Sequence, residues 1–214
     1  MNKTKDDRIK AIIEVKENQL VIDRVINYIN LELNINLYKD YSNNININDN
    51  NSLILNKSYY RQVVRRLLNL IERHSLKEKL LFEEMEKGSK ILKIKEAATV
   101  KSPSYDGSES GKQENGYKAN TQEKLLIDIE EERLKQAQRI NAYDLFTKSF
   151  TDNKELTKEF IELAPNTRAV EIMIRHYFNG ERYCDIARKM MYEEVYNLEK
   201  RAVDDLSLIL MYSL

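Results

Sequence analysis

Apolar residues recur at helical intervals over most of the chain, and they predict helices rather than strands. Ile9, Ile12, Ile13, Leu20, Val25, Ile26, Ile29 and Leu33 mark a first helix over about residues 6–37, with Asp6 and Asp7 suiting its amino end. Asn43, Asn44, Asn46, Asn48, Asn50 and Asn51 then crowd one stretch. Asparagine competes with the backbone for hydrogen bonds, so a loop is expected there. A second helix follows over about residues 57–87, with Tyr60, Val63, Val64, Leu67, Ile71, Leu80 and Met85 as its buried positions and Gly88 ending it. Ile91, Leu92 and Ile94 fit either a continued helix or a short strand. Over 99–120, Pro103, Gly107, Gly111 and Gly116 lie among serines with little apolar content, which predicts a flexible linker and domain boundary.

Beyond the linker, Thr121 can cap a long charged helix reaching about Lys148, on Leu125, Leu126, Ile129, Ile140 and Leu145. A shorter helix around Lys154 to Leu163 should stop before Pro165, which disfavours helix at the preceding residue. In the tail, Asn166 can cap a helix running to Phe178, and Asn179-Gly180 is a turn signal. A short helix with an Ile186-Ala187 pair follows, then a last helix carrying Val195, Leu198, Ala202, Leu206 and Ile209 on one face. The expected architecture is all-α, in four parts: a helical amino-terminal region (1–98), the linker (99–120), a long and a short helix (121–163), and a helix-turn-helix (164–214). Periodicity alone does not separate a DNA-binding trihelical unit from an ordinary helical bundle.

Composition supports long helices, since only five Gly and two Pro occur in 214 residues. No run approaches the ~18 apolar residues of a membrane span, and no signal-peptide pattern opens the chain. A single cysteine, Cys184, gives no disulfide framework and fits a reducing cytoplasm. Its apolar helical context reads as a small buried hydrophobe. His74 and His176 lack ligand-spaced partners, Glu130 to Glu132 point in successive directions around a helix, and no phosphate-binding glycine loop occurs. The expectation is therefore a non-enzyme with no catalytic residue, metal or cofactor.

Lys+Arg and Asp+Glu balance at 35 each, so any polyanion binding must come from local segregation of charge. Arg61, Arg65, Arg66, Arg73, Lys77 and Lys79 crowd the second helix and form a candidate basic surface, the spacing of the first three placing them near one face. A solvated helix face with Glu partners is the plain alternative.

The tail resembles the helix-turn-helix of the fourth region of bacterial sigma factors. More closely, it is similar to the carboxy-terminal domain of phage transcriptional regulators of the ArpU and RinA kind. The matching residues are Arg168, Ile172 and His176-Tyr177-Phe178-Asn179-Gly180, then Asp185-Ile186-Ala187, then Val195-Tyr196-Asn197-Leu198 through Ala202-Val203. A loop like Ser102 to Gly111 and a long charged helix like Thr121 to Thr147 also precede the motif in such proteins, so the resemblance covers roughly residues 101–214. It implies a late-gene regulator that acts on promoter DNA and bacterial RNA polymerase. Tyr196, Asn197, Lys200 and Arg201 are then the candidate DNA contacts, and Arg182, Arg188 and Lys189 the candidate phosphate contacts.

Two features depart from that pattern. Met190 to Glu194 is about two residues short and supplies no Ser or Thr cap, so a single fused helix is the competing expectation. Glu193, Glu194, Glu199, Asp204 and Asp205 also outnumber Lys200 and Arg201 on the last helix and should oppose phosphate binding. Two alternatives follow: a helical interaction or assembly protein without DNA binding, and a small phage packaging protein of the terminase small-subunit type. A homo-oligomer is compatible with all three.

Overall fold

A computed structural model describes residues 4–37, 50–100, 115–190 and 194–214. The described chain is all-α, without strands. Its helices are α1 (Lys5–Ile13), α2 (Lys16–Glu32), α3 (Asn50–Val100), α4 (Asn115–Glu162), α5 (Thr167–Met173), α6 (Tyr183–Met190) and α7 (Val195–Ser213), with a π-helical turn over Ile174–Phe178 after α5. None of them is long and apolar enough to cross a membrane, among the described residues.

The predicted first helix is two helices. Ile9, Ile12 and Ile13 form one apolar stripe, and Ile22, Val25, Ile26 and Ile29 form another roughly 140° out of phase at 100° per residue. A straight helix would turn one stripe to solvent. The break at Val15, in an extended conformation (φ −76°, ψ 120°), resets the phase so that both stripes meet the core, and Leu20 is left 62% exposed. Thr4 and Asp7 form a reciprocal capping box on α1. The Asn18 side chain donates to the Ile12 carbonyl (2.8 Å), an acceptor that the end of α1 leaves open. After α2, Asn34 takes a left-handed conformation (φ 51°), and Asn30 Oδ1 accepts from the Leu37 amide (2.9 Å).

Two predicted helix ends are absent. α3 runs on through Gly88, so Ile91, Leu92 and Ile94 are helical, and α4 already begins at Asn115 and continues past Lys148 and Lys154 to Glu162. Of the expected linker, 99–100 and 115–120 are therefore helical, and 101–114 lie outside the described residues. The side chain of Thr121, within α4, lies outside the description too. Gly88 serves proximity rather than termination: a Cβ there would overlap the side chains of Gln136 and Arg139 on α4. Gln136 donates across this crossing to the Met85 carbonyl (2.9 Å).

The chain forms two compact units, residues 1–76 with 149–214, and residues 77–148. In the first, α7 is the central element, packed against α1, α2, α5 and α6. From Ala202 to Met211 every residue of α7 except half-buried Asp204 is buried, as expected for a helix surrounded by others. Around it lie Ile9, Ile22, Ile26 and Ile29 of α1 and α2, Tyr60, Val64 and Leu67 of α3, Phe160 and Ile161 of α4, and Ala169 and Met173 of α5. Ser207 bonds back to the Val203 carbonyl.

The second unit pairs the ends of α3 and α4 as an antiparallel hairpin. Arg133 reaches Glu96 (2.9 Å), Lys95 reaches Glu132 (3.6 Å), Phe82 meets Tyr143 (5.7 Å between centroids) and Lys77 lies over the Phe146 ring (4.7 Å). Leu80, Leu126 and Leu145, expected among the buried positions, are more than half exposed there, and Ile140 is 41% exposed.

The contrast between the α7 core and the surface is measurable by urea unfolding. Leu206→Ala, at a fully buried site, should cost about 2–5 kcal/mol. Leu31→Ala, at a site 77% exposed, should stay within about 0.5 kcal/mol.

Candidate nucleic-acid interface

Three successive helices of the tail converge on one small core. Asn166 Oδ1 caps α5 by accepting from the amides of Arg168 (3.1 Å) and Ala169 (3.2 Å). Ile172 of α5, Ile186 of α6 and Val195 of α7 are buried against each other, with Tyr183, Ala187, Met190 and Leu198 around them. A helix-turn-helix needs its two short helices held against the last one in this way. α6 ends at Met190, and Glu194 (φ −118°, ψ 37°) is not helical, so α6 and α7 are separate helices and the fused alternative is overturned. Met191 to Glu193 lie outside the described residues. Glu194 provides no side-chain cap for α7, as the sequence implies.

The turn between α5 and α6 is tied by charge. Gly180 takes the left-handed conformation (φ +69°) while Asn179 stays right-handed. Arg175 grips Glu181 with two bonds (3.0 and 3.1 Å), and Lys189 joins from α6 (2.8 Å). Hydrogen bonds from Arg175 and Lys189 hold the Glu181 carboxyl at about 2, well below the usual range. His176 Nδ1 lies 2.8 Å from the Glu181 carbonyl, which can only accept, so that nitrogen carries the proton. Its ring stacks on Tyr183 (3.9 Å between centroids). His176 thus belongs to the turn. His74 packs edge-on to Phe150 instead, and no cluster of His, Cys, Asp or Glu suited to a metal occurs among the described residues. Cys184 is exposed, contrary to its reading as a buried hydrophobe, because Ile186 two residues on takes the inward face of α6.

Glu199, Asp204 and Asp205 turn inward and so do not face a phosphate on the outer side of α7, while Glu194 at its amino end is exposed and Glu193 lies outside the described residues. Glu199 is 5% exposed and accepts a hydrogen bond from the Tyr177 hydroxyl (3.1 Å). Asp204 takes a bidentate grip from Arg61 of α3, and Asp205 pairs with Lys5 of α1 (2.6 Å). Burial pushes the Glu199 carboxyl above its ordinary value, against the opposing pull of Arg65 and His176. It also raises the Tyr177 hydroxyl and takes Tyr183 to about 12. The signal was in the spacing: Glu199 lies between Val195 and Ala202 on the apolar stripe.

On the outer side of α7, Tyr196, Asn197, Lys200 and Arg201 are all exposed, Tyr196 by 61%. At 100° per residue they share an arc of roughly 140°. The described charges on the exposed start of α7 are Glu194, Lys200 and Arg201. Arg182, just before α6, and Arg188 and Lys189 on it are exposed but shared with acids: Arg182 and Arg188 approach Asp185 (2.9 and 3.9 Å), and Lys189 pairs with Glu181.

Arg61, Arg65, Arg66 and Arg73 of the candidate basic surface fall within an arc of roughly 140° on α3, as wide as the outward arc of α7, though Arg61 is only partly exposed. Arg61 is committed to Asp204, and Arg65 is exposed on the flank toward Glu199. Arg66 and Arg73 are exposed roughly 80–100° farther round the helix than Arg65. Lys77 and Lys79 belong to the second compact unit.

No family model, curated protein or solved structure matches the chain.

The two buried or bound carboxylates give opposite pH signatures. Glu199 titrates higher folded than unfolded, so its contribution is complete at low pH and is lost as pH rises through its folded value. Glu199→Gln keeps an acceptor for Tyr177 and should gain stability relative to wild type between pH 4 and pH 8. Glu181 titrates lower folded than unfolded, so its contribution exists above the unfolded carboxylate range and fades as pH falls toward 2. The deficit of Glu181→Gln should shrink from pH 7 to pH 3. Denaturant melts across that range check both; parallel curves for wild type and variants would contradict the assignments.

Proposed function

We propose that this chain is a non-enzymatic, DNA-binding transcriptional regulator of the phage or prophage type. Its tail acts as a sigma-like helix-turn-helix with α7 as the reading helix. The observation that carries this reading is the outward arc of Tyr196, Asn197, Lys200 and Arg201 on α7, with Glu199, Asp204 and Asp205 turned into the protein. Asn197 and Arg201 supply side chains able to read base edges, and Lys200 supplies phosphate attraction. The similarity to ArpU- and RinA-type regulators supports promoter DNA in the bacterial cytoplasm as the target and RNA polymerase as a protein partner.

The assembly reading, with the packaging-type protein as one form of it, is favoured by a different observation. Asp185 and Glu181 neutralise most of the positive charge of α6, which leaves fewer free phosphate ligands than a reading unit usually has.

Fluorescence anisotropy with a labelled duplex of about 30 base pairs separates the two readings, because non-specific binding rests on phosphate contacts alone. The wild-type chain should bind at about 50 mM salt with Kd on the order of 1–100 µM and weaken steeply by about 200 mM. Lys200→Ala should reduce the log–log salt slope by about 1, whereas Arg201→Ala should relax the preference for a selected site. Selection from a randomised duplex library should return a preferred site that Asn197→Ala relaxes. An absence of binding by the full chain at low salt would sink the DNA reading and leave the assembly one.

A further inference from the structure

The second compact unit lacks a core of its own. Among its described residues Ile129 is the one large apolar side chain that is buried, while Leu80, Ile94, Leu126, Ile127, Leu134 and Leu145 are each more than half exposed. A hairpin of two helices cannot repay its ordering entropy on that burial.

α3 carries two heptad seams in this region. Leu81, Met85, Gly88 and Leu92 follow a 4-3-4 spacing, are at least partly buried, and face α4 at the Gly88 crossing. One residue back, and so about 100° around the helix, Leu80, Glu84, Lys87, Ile91 and Ile94 follow a 4-3-4-3 spacing and are all exposed. This outer seam reads apolar, acidic, basic, apolar.

A second copy of the chain, running antiparallel about a two-fold axis near Glu86, complements that order without any other partner. Leu80 then falls between Ile91 and Ile94 of the other copy, and Glu84 falls between its Lys87 and Lys90. The symmetry repeats both sets of contacts. Lys90 already approaches Glu86 of its own helix at 3.9 Å, but both side chains are more than half exposed, so this pair holds little. In a parallel, in-register pair Glu84 would meet Glu84 and Lys87 would meet Lys87. From this order of apolar and charged residues we infer that the outer seam of α3 is a homodimer interface, closing two hairpins into an antiparallel four-helix bundle. The inference is independent of whether the tail binds DNA.

Sedimentation equilibrium of the full chain tests it. Wild type should be dimeric at about 50 µM, and Leu80→Asp with Ile94→Asp should be monomeric. Glu84→Lys alone, or Lys87→Glu alone, puts like charges together twice per dimer and should weaken association about tenfold. The double reversal, Glu84→Lys with Lys87→Glu, should return to within about threefold of wild type, because the antiparallel pairing is then restored with signs exchanged. All four sites are exposed, and an unchanged far-UV circular dichroism spectrum verifies that each variant is folded. A monomeric wild type would overturn the inference, as would single reversals without effect, a double reversal no better than the singles, or a dimer indifferent to Asp at 80 and 94.

Discussion

Most of the first compact unit depends on burying a helix that carries three acids. Between Ala202 and Met211 α7 offers almost no side to water, yet Asp204 and Asp205 lie within that stretch and Glu199 one turn before it. Carboxylates taken out of water require partners. Arg61 of α3 answers Asp204, Lys5 of α1 answers Asp205, and the Tyr177 hydroxyl answers Glu199. Each partner comes from a different segment, so the acids draw α1, α3 and the π-helical turn to one helix. Apolar packing alone is tolerant of register; a set of paired charges is not. A one-residue slip of α7 would move all three acids off their partners at once.

The same arrangement determines what α7 presents outward. Residues that satisfy the core occupy one side of its first turns, and Tyr196, Asn197, Lys200 and Arg201 receive the other by default of geometry. Their position relative to α6 is then held by Ile172, Ile186 and Val195 and by the Arg175–Glu181–Lys189 cluster across the turn. A side chain that reads base edges is useful only when its helix is held rigidly, and here rigidity comes from the buried stretch of the same helix from Ala202 to Met211.

Much of this was legible in the sequence. The helix-only composition, the Asn166 cap, the turn at Gly180 and the stop before Pro165 all follow local rules and are found. Local rules misplace features whose meaning is tertiary. Gly88 reads as a helix end because glycine breaks isolated helices, yet it persists mid-helix where the side chains of Gln136 and Arg139 occupy the space a Cβ would take. The break at Val15 lies in the phase between two stripes and in no single breaking residue. Glu199 is acidic by sign but inward by place, since it shares a face with Val195 and Ala202. In the basic run of α3 the tertiary term is the pairing of Arg61 with Asp204, which no local rule announces.

The hairpin of the second unit resolves a related conflict differently. Its inner seam includes Glu132 and Gln136, both buried, where a coiled coil ordinarily carries leucine. Glu132 is held by Arg139 (2.8 Å) on its own helix and by Lys95 across the seam, and Gln136 is held by the Met85 carbonyl. Such groups add little net stability compared with apolar residues of the same size, and removing one partner strands the other. Their effect is to select register, since only one alignment of α3 on α4 brings Lys95 to Glu132 and Met85 to Gln136. The inner seam therefore specifies the hairpin without supplying much burial, and the apolar residues that could supply it, Leu80 and Ile94 among them, lie on the adjacent outer seam. Register and burial are thus divided between two seams one residue apart: the polar pairs of the inner seam fix the alignment, and Leu80 and Ile94 lie exposed on the outer one.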